Sequence, residues 1–340
     1  MIGARYFSSE DVSGLATQAE FVDAVRDAYR QRGNGAPTHP RITLESDDPA
    51  GLLNSYMAIL PDTGVMGGYM YSAGFEDGDA RFMTPVFDAN SGEPLAVVDG
   101  AYMNTYKTGA AGAVGIDALA REDATTVAVI GSGAQARGQL RAAVTVRDVN
   151  DVRVFSPTPD HRESFADAMS ESLNVDVRPV GDSATAVDGA DVVITATNAS
   201  EPVVDSTDLD DGTHVNAIGQ YDPKKRELDA ETVRRGLYVP DLRERAFQDA
   251  GSFLLAREDG VIDEDDIHAE LGEVVAGKAP GRTDDEQLTI FDSGGTALET
   301  LASATLLYRK ARDEGRGKRI DFASATEVYS GKHGSTSEEL

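Results

Sequence analysis

The segment YKTGAAGA, residues 106–113, sets a lysine into a run of small residues. Lys107 is the first of only seven lysines in a chain of 340 residues, and six of the eight residues after it are Ala or Gly. Such a run packs closely against a neighbour, so a cation there is either a solvated charge or a contact for an anionic ligand. Downstream, GSGAQA (131–136) fits G-x-G-x-x-A, directly after an apolar strand (127–130) and before a helical stretch. In that context Gly131 makes the tight turn and Gly133 lets the backbone approach a pyrophosphate. Ala136 allows close helix–strand packing, and the helix N-terminus faces the phosphates. The alternative is an ordinary βα turn. An NAD site usually ends its second strand in Asp or Glu, which accepts from the ribose 2′-hydroxyl. Here VFSPTPDHRE puts Ser156 and Thr158 at that place, with Asp160 past it and Arg162 beyond. The missing acid removes the main repulsion against a 2′-phosphate, which favours NADP over NAD.

Other chemistries find less support. There is no cysteine, which excludes disulfides, thiolate catalysis and Cys-ligated metals. The histidines at 39, 161, 214, 268 and 333 are scattered and give no metal spacing, so no metal is expected. No Ser-His-Asp arrangement stands out. DEDD (263–266) reads as the acidic first turn of a helix, and KKR (224–226) as a solvated turn.

The elements that must position these residues follow from pattern. Thr17 to Glu20 has capping-box spacing, and Phe21, Val22, Val25, Ala28 and Tyr29 recur at helical intervals up to Gly33. Residues 51–61 and 82–100 read as strands, the second broken by a turn at 90–92. Residues 108–119 read as a small-residue helix. From Thr125 onward short apolar strands alternate with helical stretches, which argues for a parallel doubly wound sheet. Residues 293–315 form a long amphipathic helix that returns the chain to its first part, and the tail is polar and loose.

The net charge of −28 opposes binding to phosphate backbones, so no nucleic-acid partner is expected. The acids are spread along the chain among apolar residues and belong to a folded surface. An evenly acidic, lysine-poor surface points to adaptation to high salt. No long apolar run is present and the N-terminus lacks a secretory pattern, so no membrane partner and a cytoplasmic location are expected.

KTGAAGAVGIDALAREDATTVAVIGSGAQAR resembles the RTGA…GxGxQA core of the ornithine cyclodeaminase/mu-crystallin family. NAIGQYDPKKRELD, AELGEVVAGKAPGR and IFDSGGTALETLASA extend the resemblance in the family's order, over roughly residues 38 to 320. The resemblance implies an α/β fold: a Rossmann-type doubly wound sheet, plus a second α/β domain for substrate and dimerisation built from both chain ends. The expected division is 1–118 with 305–330 for the second domain, 119–304 for the Rossmann domain, and 331–340 as the loose tail. A homodimer through the second domain is implied.

The resemblance also implies roles. Arg41 in THPRITL matches an arginine that binds the substrate carboxylate. Lys107 stands where most members have the arginine of RTGA, also a carboxylate contact. Thr108 is expected near the nicotinamide. Gly131, Gly133, Ala134 and Gln135 would hold the pyrophosphate, and Thr197 and Asn198, ending the TATN strand, would lie near the adenosine half. Ile218 and Gly219 would pack under the nicotinamide, and Ser293 and Gly294 would close the site. Two departures matter. The family lysine of the N-terminal domain aligns with Tyr69, and no lysine precedes Lys107. The acid of the G-x-D-x-P-G-K-x-E-L segment is replaced by Tyr221, which disfavours ornithine cyclisation. Arg41 and Lys107 then form a cationic clamp, or Lys107 takes over from the missing lysine as a catalytic donor near the reacting nitrogen. Tyr69 becomes a candidate proton donor, a poor base unless a cation such as Lys107 lowers its pKa.

The leading reading is an NAD(P)-dependent oxidoreductase acting on the C=N, C–N or C=O of a small α-imino, α-keto or α-amino acid. A non-catalytic NAD(P)H-binding protein of mu-crystallin type is the alternative, and an ornithine cyclodeaminase the third reading.

Overall fold

A computed structural model describes residues 2–75 and 79–330; the tail 331–340, expected to be loose and carrying His333, lies outside the described residues. Two seven-stranded sheets organise the chain. The first is built from β1 (Ile2–Phe7), β2 (Thr38–Asp47), β3 (Ala50–Leu60), β4 (Val65–Ala73), β5 (Arg81–Asp88) and β6 (Pro94–Asp99). The second holds β7 (Thr126–Ile130), β8 (Asp151–Phe155), β9 (Asp176–Pro179), β10 (Val192–Thr195), β11 (His214–Ala217), β12 (Leu237–Pro240) and β13 (Thr289–Asp292). The chain then returns to the first sheet as β14 (Lys318–Phe322), antiparallel to β1.

The second sheet runs β12-β13-β11-β10-β7-β8-β9, all parallel. Its strands are buried runs such as TVAVI and VVIT, as parallel strands covered on both faces must be. The order reverses between β7 and β10, which is where a doubly wound sheet opens its ligand crevice. The first sheet, β14-β1-β6-β5-β4-β3-β2, is antiparallel except for the β1–β6 pair.

Two helices join the sheets. Helix Asn104–Leu119 begins four residues before the expected 108 and packs against helix Ala134–Ala143 of the glycine loop and against helix Gln18–Gly33. Helix Ala297–Asp313 packs against β3, β4 and β5, so the division expected at 304/305 falls inside one helix of the first layer. The chain leaves the parallel sheet at Asp292 instead. That helix is also less amphipathic than its sequence suggested. Its first nine residues are all buried, because the sheet, helix Gln18–Gly33 and helix Asn104–Leu119 cover it from several sides. The DEDD segment forms a short 3₁₀ turn at Glu264–Asp266, not a longer helix. No described helix is long and apolar enough to cross a membrane.

Candidate active site between the two sheets

Arg41 sits on β2. The β2–β3 register slips between His39 and Ile42, so Pro40 and Arg41 together face Tyr56. Such a bulge re-aims a side chain, and Pro40 has no N–H to lose there. Arg41 is thereby turned inward while the rest of β2 from Ile42 onward is exposed. One guanidinium nitrogen donates to Asp249 Oδ2 at 3.2 Å and another to the Gly294 carbonyl at 2.5 Å. Its Nε is buried without a partner among the described residues. The guanidinium lies 4.6 Å from the Tyr221 ring centroid and 5.6 Å from that of Tyr56. Tyr221, at the place of the cyclodeaminase acid, therefore covers Arg41 instead of offering a carboxylate.

Lys107 enters from helix Asn104–Leu119 and is only 3 % exposed. Its Nζ is 3.8 Å from Glu299 Oε1 and 5.2 Å from the Tyr69 ring centroid. Burial holds the Lys107 ammonium below the ordinary lysine range, while Glu299 pulls it back up. Tyr69 departs from expectation. Lys107 lies over its ring rather than at its hydroxyl, and burial pushes the phenol well up. Lys107 does not make Tyr69 an easier base. Its hydroxyl instead accepts from Asn104 Nδ2 at 3.1 Å, and Asn104 Oδ1 accepts from Gln135 Nε2 at 2.7 Å. Asn104 thus ties β4 to the helix of the glycine loop. The amide nitrogen of Gln135 is spent on this bridge, and its Oε1 is buried without a partner among the described residues.

These groups line one cavity of about 320 Å³. Its lining includes Arg41, Tyr56, Tyr69, Tyr71, Phe82, Asn104, Lys107, Thr108, Gln135, Thr197, Asn198, Ile218, Gly219, Tyr221, Ser293 and Gly294. Among the described residues, the charged side chains in the lining are Arg41 and Lys107. Thr197 and Asn198 lie just past the end of β10, which stops at Thr195. Gly131, Gly133, Ala134, Ser156, Thr158 and Arg162 stand outside this lining, at the carboxyl ends of β7 and β8 and in the helices that follow them.

The glycine loop fits a dinucleotide. Gly131 has φ +117°, and a Cβ there would stand 2.4 Å from the Ala196 carbonyl oxygen, across the point where the strand order reverses. A Cβ on Gly133 would meet nothing within 4 Å, and no side chain caps the helix that starts at Ala134. The loop is therefore an open cradle with backbone N–H groups free for phosphate oxygens. Beyond β8, Ser156 is buried and its carbonyl accepts from an Arg162 nitrogen at 2.9 Å.

Several supporting residues escaped the sequence reading. Asp241 Oδ2 accepts from the Ser293 hydroxyl at 3.0 Å and from the Gly294 and Gly295 amides at 3.0 and 3.2 Å. Arg245, fully buried, joins Asp241, Asp249 and Asp292. This network fixes both the Gly294 loop and the carboxylate that holds Arg41. The 241–245–249 spacing, one residue per helical turn, was the available signal. Buried Glu227 accepts from the Thr197 amide at 2.7 Å and the Gly219 amide at 2.8 Å, so it ties together the two loops that follow β10 and β11.

The sequence profile of the ornithine cyclodeaminase/mu-crystallin family matches residues 6–315. The chain belongs to this family. The family member Δ1-pyrroline-2-carboxylate reductase of Bacillus cereus is 36% identical over 236 residues, 69% of this chain and 72% of its own. The structure of Thermococcus litoralis Δ1-pyrroline-2-carboxylate reductase with NADH and L-proline superposes with a TM-score of 0.88 at 32% identity, covering 93% of this chain and all of that one. An archaeal alanine dehydrogenase dimer with bound NAD gives the same score and identity over 95% of this chain and all of its own.

Proposed function

We propose that this family member reduces the C=N bond of a small α-imino acid, or runs the reverse oxidation of the amino acid. It is an NAD(P)-dependent oxidoreductase of the imine-reductase and amino-acid-dehydrogenase class. The observation that carries the reading is the pairing of two buried cations, Arg41 and Lys107, in one cavity whose Ala196 and Thr197 lie against the Gly131 turn. The glycine loop would hold the dinucleotide, whose reduced nicotinamide would supply the hydride for the substrate carbon when bound. Thr108, Ile218 and Gly219 would border that ring. Arg41 binds the substrate carboxylate, its orientation fixed by Asp249 and Gly294. Tyr56, Tyr71, Phe82 and Tyr221 give the rest of the substrate an aromatic wall. Among the described residues the lining offers no carboxylate to a distal amine, which favours a monocarboxylate with an uncharged side chain over ornithine. Arg162 and the missing acid after β8 support NADP over NAD.

Absorbance loss of NADPH and NADH with pyrroline-2-carboxylate, piperideine-2-carboxylate and pyruvate plus ammonia, in high-salt buffer, tests the reading. Turnover of at least one imino acid is expected, with the lower KM for NADPH. Cofactor binding with no turnover would leave the non-catalytic binding protein as the better account.

The outer face of the first sheet supports a homodimer. Ile42, Leu44, Leu53, Met57, Ile59, Met70 and Met83 are exposed on it, beside a groove of about 680 Å³. A patch of that kind marks an interaction surface, and a second copy is the occupant we infer.

A further inference from the structure

Glu299 is 1 % exposed and opens helix Ala297–Asp313 as the acid of its capping box. Both its oxygens accept from Thr296, one from the amide and one from the hydroxyl. The carboxylate is therefore fixed by its own helix, and Lys107 reaches it from another. A separation of 3.8 Å is an ion-pair distance beyond hydrogen-bond reach, so the N–H bonds of Lys107 are not committed to Glu299. They remain available on the cavity side. Nothing in the sequence pattern marked Glu299, and no substrate contact is needed for it to act.

We propose that Glu299 is a positioning residue that keeps Lys107 charged in its buried place, and that Lys107 is the proton donor to the substrate nitrogen. This rests on the imine-reductase reading above. The substrate carbon accepts the hydride, the C=N π pair moves to nitrogen, and nitrogen takes a proton from the Lys107 ammonium. Lys107 is left a neutral amine and regains its proton from water. The reductant is the nicotinamide cofactor, so the step balances.

The surrounding charges favour this division of labour. Facing the pair are Arg41 of β2, Tyr56 of β3, Tyr69 of β4, Asp241 beyond β12 and Tyr29 of helix Gln18–Gly33. Arg41 pushes Lys107 toward the neutral amine, and it already has Asp249 as its own counter-ion. Tyr29, Tyr56 and Tyr69 are all held neutral by burial. Glu299 is thus the nearest anion able to keep the Lys107 proton, against a burial cost that favours losing it. A lysine held low in this way donates its proton more readily than an ordinary one.

The chain has only seven lysines, so its Lys107 can be followed directly. Protein labelled with 13C at lysine Cε is titrated by NMR in parallel with the pH dependence of kcat/KM. Lys107 is expected to titrate below the other lysines. Glu299→Gln keeps the capping geometry and should lower the Lys107 titration by at least about one pH unit. The alkaline limb of kcat/KM should move down with it, and Glu299→Asp should restore part of the shift. Lys107→Arg keeps a cation for the carboxylate but cannot release a proton. It should change KM by less than about threefold and cut kcat by about a hundredfold or more. An unmoved limb in Glu299→Gln, or a Lys107→Arg enzyme with full kcat, overturns the proposal. If the wild type turns over no imino acid, the imine-reductase reading falls and proton donation with it. The NMR titration decides the Glu299–Lys107 coupling separately, and an unchanged Lys107 in Glu299→Gln overturns it whether or not turnover is seen.

Discussion

At the residue scale the site depends on two cations taken out of water, each with its own fixed carboxylate. Arg41 uses one nitrogen on Asp249 and another on Gly294, which fixes the plane of the guanidinium and leaves Nε without a partner among the described residues. A lysine cannot reproduce that planar fork. Arg41→Lys should therefore raise KM for the imino acid roughly 10–100-fold, the loss of about one charge-assisted hydrogen bond's worth, ~1.5–3 kcal/mol. The KM for the dinucleotide should stay within about twofold, because Arg41 lies on the other sheet from the glycine loop. Equal changes in both would mean that Arg41 supports the whole cleft rather than the substrate. What the sequence disclosed at this scale is uneven. Lys107 was visible because it is rare and sits among small residues. Arg41 was visible only through resemblance, since its inward turn comes from a register slip against β3, a long-range property. Glu299 was hidden because an acid at the third position of a helix reads as a surface cap, and only the surrounding elements bury it.

At the scale of elements, the cleft is held by close backbone approach of helix Asn104–Leu119 to the glycine-loop helix. A Cβ on Gly109 would stand 2.3 Å from the Gly138 carbonyl oxygen, and one on Gly138 would stand 2.5 Å from that of Thr105. The run of Ala and Gly after Lys107 therefore has a packing reason beside the chemical one. It lets Lys107 and the Gly131 turn ride on two helices in contact, tied further by Gln135 and Asn104. Gly109→Ala meets rigid backbone rather than a flexible side chain, so overpacking should cost about 1–3 kcal/mol. It should also part the two helices and raise KM for dinucleotide and imino acid together. Thermal unfolding and both KM values check this; an unshifted Tm would mean the helices can slide apart freely. The βαβ alternation and the glycine turn were legible because buried parallel strands and tight turns leave local patterns. The first sheet was only partly legible. Strands such as THPRITLESD mix inward and outward residues around a bulge, so no simple period survives. The boundary expected near 304 falls inside helix Ala297–Asp313 for a related reason: a helix buried on most sides loses the one-sided pattern that assigns it to a layer.

At the scale of the molecule, one face and one charge act against each other. The exposed residues Ile42, Leu44, Leu53, Met57, Ile59, Met70 and Met83 gather on the outer side of the first sheet, while the whole chain carries −28. Two copies meeting through that apolar face would bring like charges together. Salt screens this repulsion: the Debye length falls from ~10 Å at 0.1 M to ~3 Å at 1 M. Apolar burial is not weakened by the same change. The proposed dimer should therefore tighten as KCl rises, the opposite of an assembly held by surface ion pairs. Met57 is 53 % exposed and lines the groove on this face. Met57→Glu would bury an unpaired carboxylate in the interface, a cost of several kcal/mol, and should weaken association by about a hundredfold or more. Sedimentation velocity from 0.1 to 2 M KCl reads both effects. A wild type that shifts toward dimer with salt, beside a Met57→Glu protein that stays monomeric at concentrations where the wild type pairs, is the expected result. A variant that dimerises as well as the wild type would move the interface elsewhere. Dimerisation that weakens with salt would assign it to charge pairs instead of this face.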